Sequence, residues 1–316
     1  MPLPATGDDL SPGLWAGRVG DDPALLLPRG GGRLRRWSYA AAAEGPTTLG
    51  VAIVDLGILA TAFAFLRHEG DTWTWDHKSP LRRGAGLAHT SREVSTYAAG
   101  KARIQVGGNG SIRLDVAMPD GPRVRARLDA GSPGGDVPAV LRTSTAGGGW
   151  NVTEKSAGYP VRGVIEADGE ALPFGLAGGW RDWTTGRQDR RTTWRWAAGA
   201  GRGANGARVG LNVSTGMNDL EAGENVVWWG GTPWGLALEV LEPAGRARDG
   251  DWRLAGPGWH LDFETCGVRA ASENVGVLRS VYTQPIGTFR GTLPGPDGEP
   301  VEVELEGVTE DHVAVW

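Results

Sequence analysis

The fold class is decided by the stretch Ala102-Arg-Ile-Gln-Val-Gly-Gly-Asn-Gly-Ser-Ile-Arg-Leu-Asp-Val116. Apolar and polar residues alternate on both sides of its glycine-rich turn, which is typical of half-buried strands. Val124-Arg-Ala-Arg-Leu128 repeats the alternation after a second turn at Pro119-Asp-Gly121. Together these segments predict an antiparallel meander whose strands are joined by hairpins.

The same pattern recurs in the second half of the chain. Val209-Gly-Leu-Asn-Val213 follows the turn Asn205-Gly206, and Val301-Glu-Val-Glu-Leu-Glu306 follows the turn Asp297-Gly298. The segment 201–206 has the glycine spacing of a dinucleotide-binding loop, but a strand follows it, so we interpret it as a hairpin turn. With 52 Gly and 20 Pro in 316 residues, long helices would be interrupted throughout. The chain is therefore predicted to be all-β, with barrels or strongly curved antiparallel sheets.

Three further features concern the domain organisation. Short helices are weakly indicated at Leu87 to Ala99 and around Val137 to Arg142. A stretch rich in Gly and Pro, from Gly131 to Gly149, lies at mid-chain and predicts a domain boundary just after it. We place an N-terminal β domain at residues 1–157 and a C-terminal, Trp-rich β domain at residues 158–316.

Composition argues against several classes of function. The net charge of −5 disfavours a nucleic-acid partner, because nucleic-acid binders normally carry a basic face. The single cysteine, Cys266, excludes an intrachain disulfide framework and a cysteine-based zinc site, and it fits a reducing cytoplasm. The five His residues lack the spacing of metal ligands, so no metal is expected.

One apolar stretch has to be weighed as a membrane span. Leu49 to Leu66 comprises 18 mostly apolar residues, but Asp55 and Gly57 near its middle predict two buried strands that meet at a bend. The segment Met1–Asp9 lacks the basic and apolar regions of a secretory leader. We therefore expect a cytoplasmic protein, monomeric or weakly homodimeric, without stable membrane insertion.

Tryptophan dominates the aromatic composition. The chain has 15 Trp against 5 Phe and 4 Tyr, and seven of the Trp lie between Trp180 and Trp234. Large, flat indole rings suit a cavity that binds an apolar molecule or stabilises a positive charge. The alternative is a Trp-rich β core. We favour the cavity because these Trp residues are interspersed with acids and arginines.

Charged residues accompany the Trp cluster. Five Arg between Trp180 and Trp196 indicate either a solvated loop with internal ion pairs or an arginine-lined mouth for an anionic head group. Asp182 and Glu224 lie in or beside the Trp-rich strands, and a carboxyl group buried against indole rings would have a raised pKa and could donate a proton. For Glu224 the alternative is that it closes a turn together with Asn225.

One long segment and several short ones carry a resemblance to a known family. Trp150-Asn-Val-Thr-Glu-Lys-Ser-Ala-Gly-Tyr-Pro-Val-Arg-Gly163 has the pattern W-x-x-T-x-K-x-x-G-x-P-V-x-G. The short segments are Arg36-Trp37, Asp182-Trp183-x-x-Gly186, Thr192-x-Trp194-x-Trp196-Ala197, Gly210-Leu-Asn212, Glu224-Asn225, Gly287-Thr-Phe-Arg-Gly291, Glu310-Asp-His312 and Trp316. In these segments the chain resembles a bacterial family labelled a domain of unknown function (DUF2804). The family is remotely similar to the two-lipocalin-domain proteins, which include carotenoid 1,2-hydratase, tocopherol cyclase and cofactor-free Diels–Alderases.

The resemblance implies two lipocalin-like halves packed together, a hydrophobic cavity and no organic cofactor. We expect a cofactor-independent enzyme that acts on an isoprenoid, polyene or polyketide-like substrate by hydration, cyclisation, isomerisation or cycloaddition. Either Asp182 or Glu224 would be its general acid. A non-catalytic carrier of a lipid or pigment is the main alternative, and a glycan-binding or glycan-processing protein is the second. The expected substrate-binding residues are Trp180, Trp183, Trp194, Trp196, Trp228, Asn212, Asn225, Lys155 and Arg187.

Overall fold

The computed structural model describes residues 2–5, 10–30, 32–131, 136–172, 174–220, 222–276 and 278–315, so Trp316 and most of the segment 1–9 lie outside the described residues. Within these ranges the chain forms 23 strands and one four-residue helix. The elements are β1 (Gly13–Ala16), α1 (Pro23–Leu26), β2 (Leu34–Glu44), β3 (Thr47–Asp55), β4 (Leu59–His68), β5 (Asp71–Pro80), β6 (Ala85–Gly86), β7 (Ser95–Ala99), β8 (Ala102–Val106), β9 (Ile112–Ala117), β10 (Arg123–Ala130), β11 (Ala139–Ser144), β12 (Trp150–Ala167), β13 (Glu170–Leu172), β14 (Ala177–Arg187), β15 (Arg191–Gly203), β16 (Arg208–Thr215), β17 (Val226–Trp229), β18 (Thr232–Gly235), β19 (Val240–Pro243), β20 (Trp252–Gly256), β21 (Trp259–Val275), β22 (Leu278–Pro294) and β23 (Pro300–Val315).

The strands form two antiparallel sheets. The first sheet contains β1 to β14, with the main order β5-β4-β3-β2-β14-β12-β10-β9-β8-β7-β6, and it curls into a nearly closed barrel. The second sheet has the order β18-β17-β16-β15-β23-β22-β21-β20-β19 and forms a half-barrel. The prediction of an all-β protein with two lipocalin-like halves is confirmed. No helix in the described part of the chain is long and apolar enough to cross a membrane.

Most of the local predictions are confirmed. The stretch from residue 102 to residue 128 forms β8, β9 and most of β10, paired in register as a meander. Leu49 to Leu66 is divided between β3 and β4, which are joined at Leu56-Gly57. The segment 201–206 ends β15 and turns into β16, as expected for a hairpin.

The two weakly indicated helices are wrong. Part of the segment 87–99 is β7, in which Ser95 and Tyr97 are buried and alternate with exposed neighbours. Most of the segment 137–142 belongs to β11, which is hydrogen-bonded between β1 and β12. In both places pairing with neighbouring strands outweighs a weak helix propensity, because it satisfies the backbone groups and buries one face.

The passage between the two sheets lies later in the chain than the predicted domain boundary. Residues 157 and 158 fall inside β12, at a β-bulge, whereas the chain leaves the first sheet after Arg187 and enters the second at Arg191. We propose that each sheet corresponds to one half of the molecule, divided at residues 188–190.

The two sheets pack face to face through small side chains. Along β2, Ala40 and Ala42 point into the first barrel, while Tyr39 and Ala41 point toward the second sheet, so this strand is buried on both faces. A close backbone approach joins the bulge of β12 to β16, where a Cβ on Gly210 would lie only 2.2 Å from the Ala157 carbonyl carbon. Glycine is required there because any side chain would separate the sheets.

A buried ion pair holds the first barrel together. Glu154 on β12 is fully buried and pairs with Arg181 on β14. It also accepts hydrogen bonds from the Ser91 hydroxyl and, at 2.8 Å, from the Val19 backbone N–H. A single carboxylate thus ties two loops to the wall of the barrel.

Replacing the cation of this pair is expected to destabilise the fold strongly. Arg181→Met leaves the Glu154 charge buried without its ion-pair partner, which costs about 3–5 kcal/mol of the free energy of unfolding. The control is Arg290→Met, whose partners Glu264 and Glu304 are exposed and whose loss should cost less than about 1 kcal/mol. Urea denaturation monitored by Trp fluorescence measures both values. Equal effects of the two substitutions would contradict this assignment.

Candidate active site

A cavity of about 170 Å³ lies between the two sheets rather than inside either of them. An apolar cavity of roughly 150 Å³ can bind benzene, so this one has room for an aromatic ring or a branched alkene unit. Side chains from both sheets form its wall: Trp37, Tyr39, Ala52, Val54, Leu56, Thr61, Phe63, Asp76, Lys155 and Asp182 from the first sheet and its loops, and Trp194, Trp196, Ser214, Met217, Glu224, Arg269, Glu273, Ser280, Tyr282, Gln284, Glu310 and His312 from the second.

On the first-sheet side, one row of cross-strand neighbours points into the cavity. Lys155 on β12 lies directly opposite Asp182 on β14, which in turn lies opposite Tyr39 on β2. The Lys155 Nζ is 2.7 Å from Asp182 Oδ2 and 3.4 Å from Glu224 Oε2. Lys155 therefore bridges two carboxylates, one from each sheet.

Asp182 is surrounded by hydrogen-bond donors. Its Oδ2 accepts from the Trp37 indole N–H at 2.9 Å, in addition to Lys155. Its Oδ1 accepts from the Thr184 hydroxyl at 2.9 Å. These donors fix the orientation of the Asp182 carboxyl group in the cavity wall.

Glu224 is surrounded by fewer hydrogen-bond donors than Asp182 in the described part of the chain. It follows β16 in a loop, is 3% exposed, and accepts a hydrogen bond from the Asn218 side-chain amide at 3.2 Å in addition to its contact with Lys155. Burial raises the pKa of Glu224; nearby Lys155 lowers it, the Asp182 charge raises it further, and the net shift is upward. Glu224 is thus the group in this cluster that is suited to hold a proton.

Lys155 carries the positive charge of the cluster. Burial by itself would lower the pKa of Lys155, but Asp182 and Glu224 outweigh this effect and the pKa is raised. The Nζ also lies 5.9 Å from the centre of the Trp196 ring. The lysine is accordingly an ammonium ion here rather than a nucleophilic amine.

The aromatic wall is held in place by hydrogen bonds behind it. Trp196 donates its indole N–H to Asn212 Oδ1 at 2.9 Å, and the Asn212 amide donates to the Glu224 backbone carbonyl at 2.7 Å. Asn225 accepts from the Ser214 backbone N–H at 2.7 Å. Both asparagines lie outside the cavity lining and shape the loop that presents Glu224.

Five of the residues expected at the site line the cavity, namely Asp182, Glu224, Lys155, Trp194 and Trp196. The cavity lining does not include Trp180, Trp183, Trp228, Asn212, Asn225 or Arg187.

Strand alternation explains part of this division. Trp183 and Arg181 lie on the face of β14 opposite to Asp182 and therefore point into the first barrel.

Arg187 donates to the Gly32 carbonyl at 3.1 Å. Arg195 lies 3.6 Å from Asp311. These arginines thus bond to other parts of the chain, and most of the segment lies in β14 and β15 rather than in a solvated loop.

The second sheet contributes a group of residues to which the sequence analysis assigned no role. Arg269 is buried, with its guanidinium 3.6 Å from the centre of the Phe63 ring and 4.4 Å from that of Tyr282. His312 and Glu310, two residues apart on β23, also face the cavity. Their segment was noted only as part of the family resemblance, and no spacing rule connects it to Lys155 or Asp182.

The family described as "Domain of unknown function (DUF2804)" matches residues 21–316. This chain belongs to the DUF2804 family. The resemblance inferred from the sequence is confirmed. No curated protein sequence matches this DUF2804 chain.

Solved structures share the fold of this DUF2804 member. Kievitone hydratase from Nectria haematococca is 14% identical, with a TM-score of 0.52 over 100% of this chain and 98% of its own. CghA in complex with Sch210972 is 13% identical, with a TM-score of 0.50 over 100% of this chain and 94% of its own. At such identities the likeness concerns the fold alone, and at that level the remote relationship predicted from the sequence is confirmed.

The raised pKa of Glu224 predicts a specific pH dependence of stability. Its folded-state pKa lies above the ordinary 4.5, so over the window above 4.5 the folded state holds more protons than the unfolded state. The contribution of Glu224 to stability therefore falls as the pH rises through that window. Glu224→Gln lacks this loss, so its unfolding free energy relative to the wild type should increase with pH.

Urea denaturation at about pH 4 and about pH 8 measures this difference. Glu299→Gln, in an exposed turn, is the control and should show no such trend. A relative stability of Glu224→Gln that stays constant, or falls with pH, would show that Glu224 is ionised as easily in the folded protein as in the unfolded chain.

Proposed function

We propose that this protein is a cofactor-independent enzyme that acts on a hydrophobic isoprenoid, polyene or polyketide-like substrate. The observation that carries the proposal is a buried glutamic acid, Glu224, which faces an apolar cavity lined by indole rings and has a raised pKa. Its fold is shared with kievitone hydratase, whose name describes the addition of water to an organic substrate. A cytoplasmic location, a monomer or weak homodimer and the absence of an organic cofactor belong to the same proposal.

In this proposal Glu224 is the general acid. It transfers its proton to an alkene carbon or a carbonyl oxygen of the bound substrate. Lys155, 3.4 Å away, then stabilises the carboxylate that is formed, and Asp182 keeps Lys155 in position. The ammonium ion already faces the carboxylate, so little reorganisation accompanies the proton transfer.

The aromatic wall has the complementary role. Trp194 and Trp196 offer π faces on which an apolar substrate can stack, and such faces stabilise a carbocation that follows protonation. Capture of that cation by water gives hydration, attack by a second alkene gives cyclisation, and loss of a proton gives isomerisation. A cycloaddition would use Glu224 only to polarise a carbonyl group, with the cavity holding the substrate in its reactive shape.

The test separates binding from turnover. Retinol, farnesol and a prenylated phenol serve as probes, with binding followed by quenching of Trp fluorescence and products by mass spectrometry. We expect Glu224→Gln to lower turnover of any converted probe by roughly 10² to 10⁴, the usual share of general acid catalysis. Affinity should stay within about tenfold, because the stacking surface is unchanged.

Glu299→Gln is again the control and should retain both properties. Binding without conversion of any probe would favour the carrier. Full turnover in Glu224→Gln would exclude this residue as the acid. Failure of all three probes to bind below about 100 μM would remove the support for an apolar ligand.

A further inference from the structure

A second cluster of reactive side chains lies on the second-sheet side of the cavity. The Ser280 Oγ is 2.8 Å from His312 Nε2, and His312 Nδ1 is 3.1 Å from Glu310 Oε1. All three residues line the cavity. None of them contributes to the Lys155 cluster, and the proposed proton transfer does not use them.

The protein scaffold fixes this cluster from behind. Glu310 Oε1 accepts the Trp194 indole N–H at 2.9 Å, and Oε2 accepts the Gln284 amide at 2.7 Å. The Trp194 ring also packs on the His312 ring, with centroids 4.0 Å apart. Trp194 and Tyr282 are the two cross-strand neighbours of His312, so the imidazole is confined on both sides within the sheet.

These contacts determine which ring nitrogen of His312 carries the proton. Glu310 is a hydrogen-bond acceptor for His312, so it selects the tautomer with the proton on Nδ1. The unprotonated Nε2 then accepts the hydrogen bond from the Ser280 hydroxyl. A carboxylate that orients a histidine, which in turn accepts the proton of a serine, is the arrangement that activates a serine nucleophile.

We propose that Ser280, His312 and Glu310 form an acyl-transfer centre that cleaves apolar carboxylic esters or lactones bound in the cavity. The Ser280 Oγ attacks the carbonyl carbon, forming a new C–O bond while its proton passes to His312 Nε2. The tetrahedral intermediate collapses, the bond to the leaving alcohol breaks, and that alcohol takes the proton from Nε2. Water then attacks the acyl-serine, again through Nε2, and releases the carboxylic acid and free Ser280.

Arg269 is suited to stabilise the charged intermediate. Its guanidinium stacks on Tyr282, two residues from Ser280 on β22, and it is 4% exposed. Its Nη2 pairs with Asp76 Oδ1 at 2.5 Å, whereas its Nε lies buried without a hydrogen-bond partner in the described part of the chain. We assign to Arg269 the oxyanion that forms on the ester carbonyl. The apolar walls select esters whose acyl or alcohol part is a short alkyl or aromatic group.

Covalent labelling tests the proposal without knowledge of the natural substrate. The wild-type protein is treated with an alkyl fluorophosphonate, which reacts with activated serines, and the labelled peptide is mapped by mass spectrometry. We expect the label on Ser280. Hydrolysis of p-nitrophenyl butyrate is measured in parallel and should fall at least about a hundredfold in Ser280→Ala and in His312→Ala.

The matched control is a second hydroxyl–histidine contact outside the cavity. Thr292 Oγ1 and His260 Nδ1 are 3.3 Å apart and exposed, and Thr292→Ala and His260→Ala should leave labelling and hydrolysis unchanged. Absence of label on the wild-type protein, or label on another serine, overturns the proposal. Hydrolysis that persists in Ser280→Ala but disappears in His312→Ala also overturns it, since His312 would then activate water directly. The wild-type labelling needs no variant, so misfolding of a variant cannot hide the result.

Discussion

The centre of the molecule depends on one cation, Lys155, that two carboxyl groups share. Lys155 is buried between Asp182 and Glu224, and a buried charge without a partner would cost several kcal/mol. Since Asp182 belongs to the first sheet and Glu224 to a loop of the second, the two halves must meet in one alignment for both carboxyl groups to reach Lys155. The small residues of β2 and the glycine contact between β12 and β16 allow the backbones to approach closely enough. The close packing of the backbones and the charge contacts of Lys155 therefore require the same relative position of the two sheets.

This arrangement explains why the cavity lies between the sheets. The interior of the first barrel is filled by its own inward-facing side chains, as it is in small barrels generally. The inner side of the second sheet has a separate apolar core. The cavity is at the junction of the two sheets, where indole rings and charged side chains form its wall.

The two sides of that gap differ chemically. The first-sheet side presents the Lys155–Asp182 pair, with Glu224 added from the loop after β16, and this cluster can hold and release a proton. The second-sheet side presents a histidine oriented by Glu310 and a buried arginine, Arg269. Both clusters line the same cavity, so the two proposals place one bound substrate between them.

The sequence alone determined most of the strands and turns, and the family. Alternation such as that of residues 111–116 specifies a half-buried strand, and glycine turns specify where it reverses, because both depend on neighbouring residues only. The sequence also singled out Asp182, Glu224, Trp194 and Trp196, through the clustering of indoles and acids. It could not show which face of β14 meets the second sheet, so Trp183 and Asp182 were equally plausible at the site.

Only the tertiary structure decided what these residues contact. Lys155, Asp182 and Glu224 come from three separate segments, and Ser280 meets His312 across two strands, 32 residues apart. Such contacts arise from strand order, from the bulge in β12 and from the packing of two curved sheets. A hydrophobic pattern predicts that one face of a strand is buried. It does not predict which element covers that face, because apolar burial is not directional. Cross-strand register and sheet packing determine which element covers each face, and they place both clusters at one cavity.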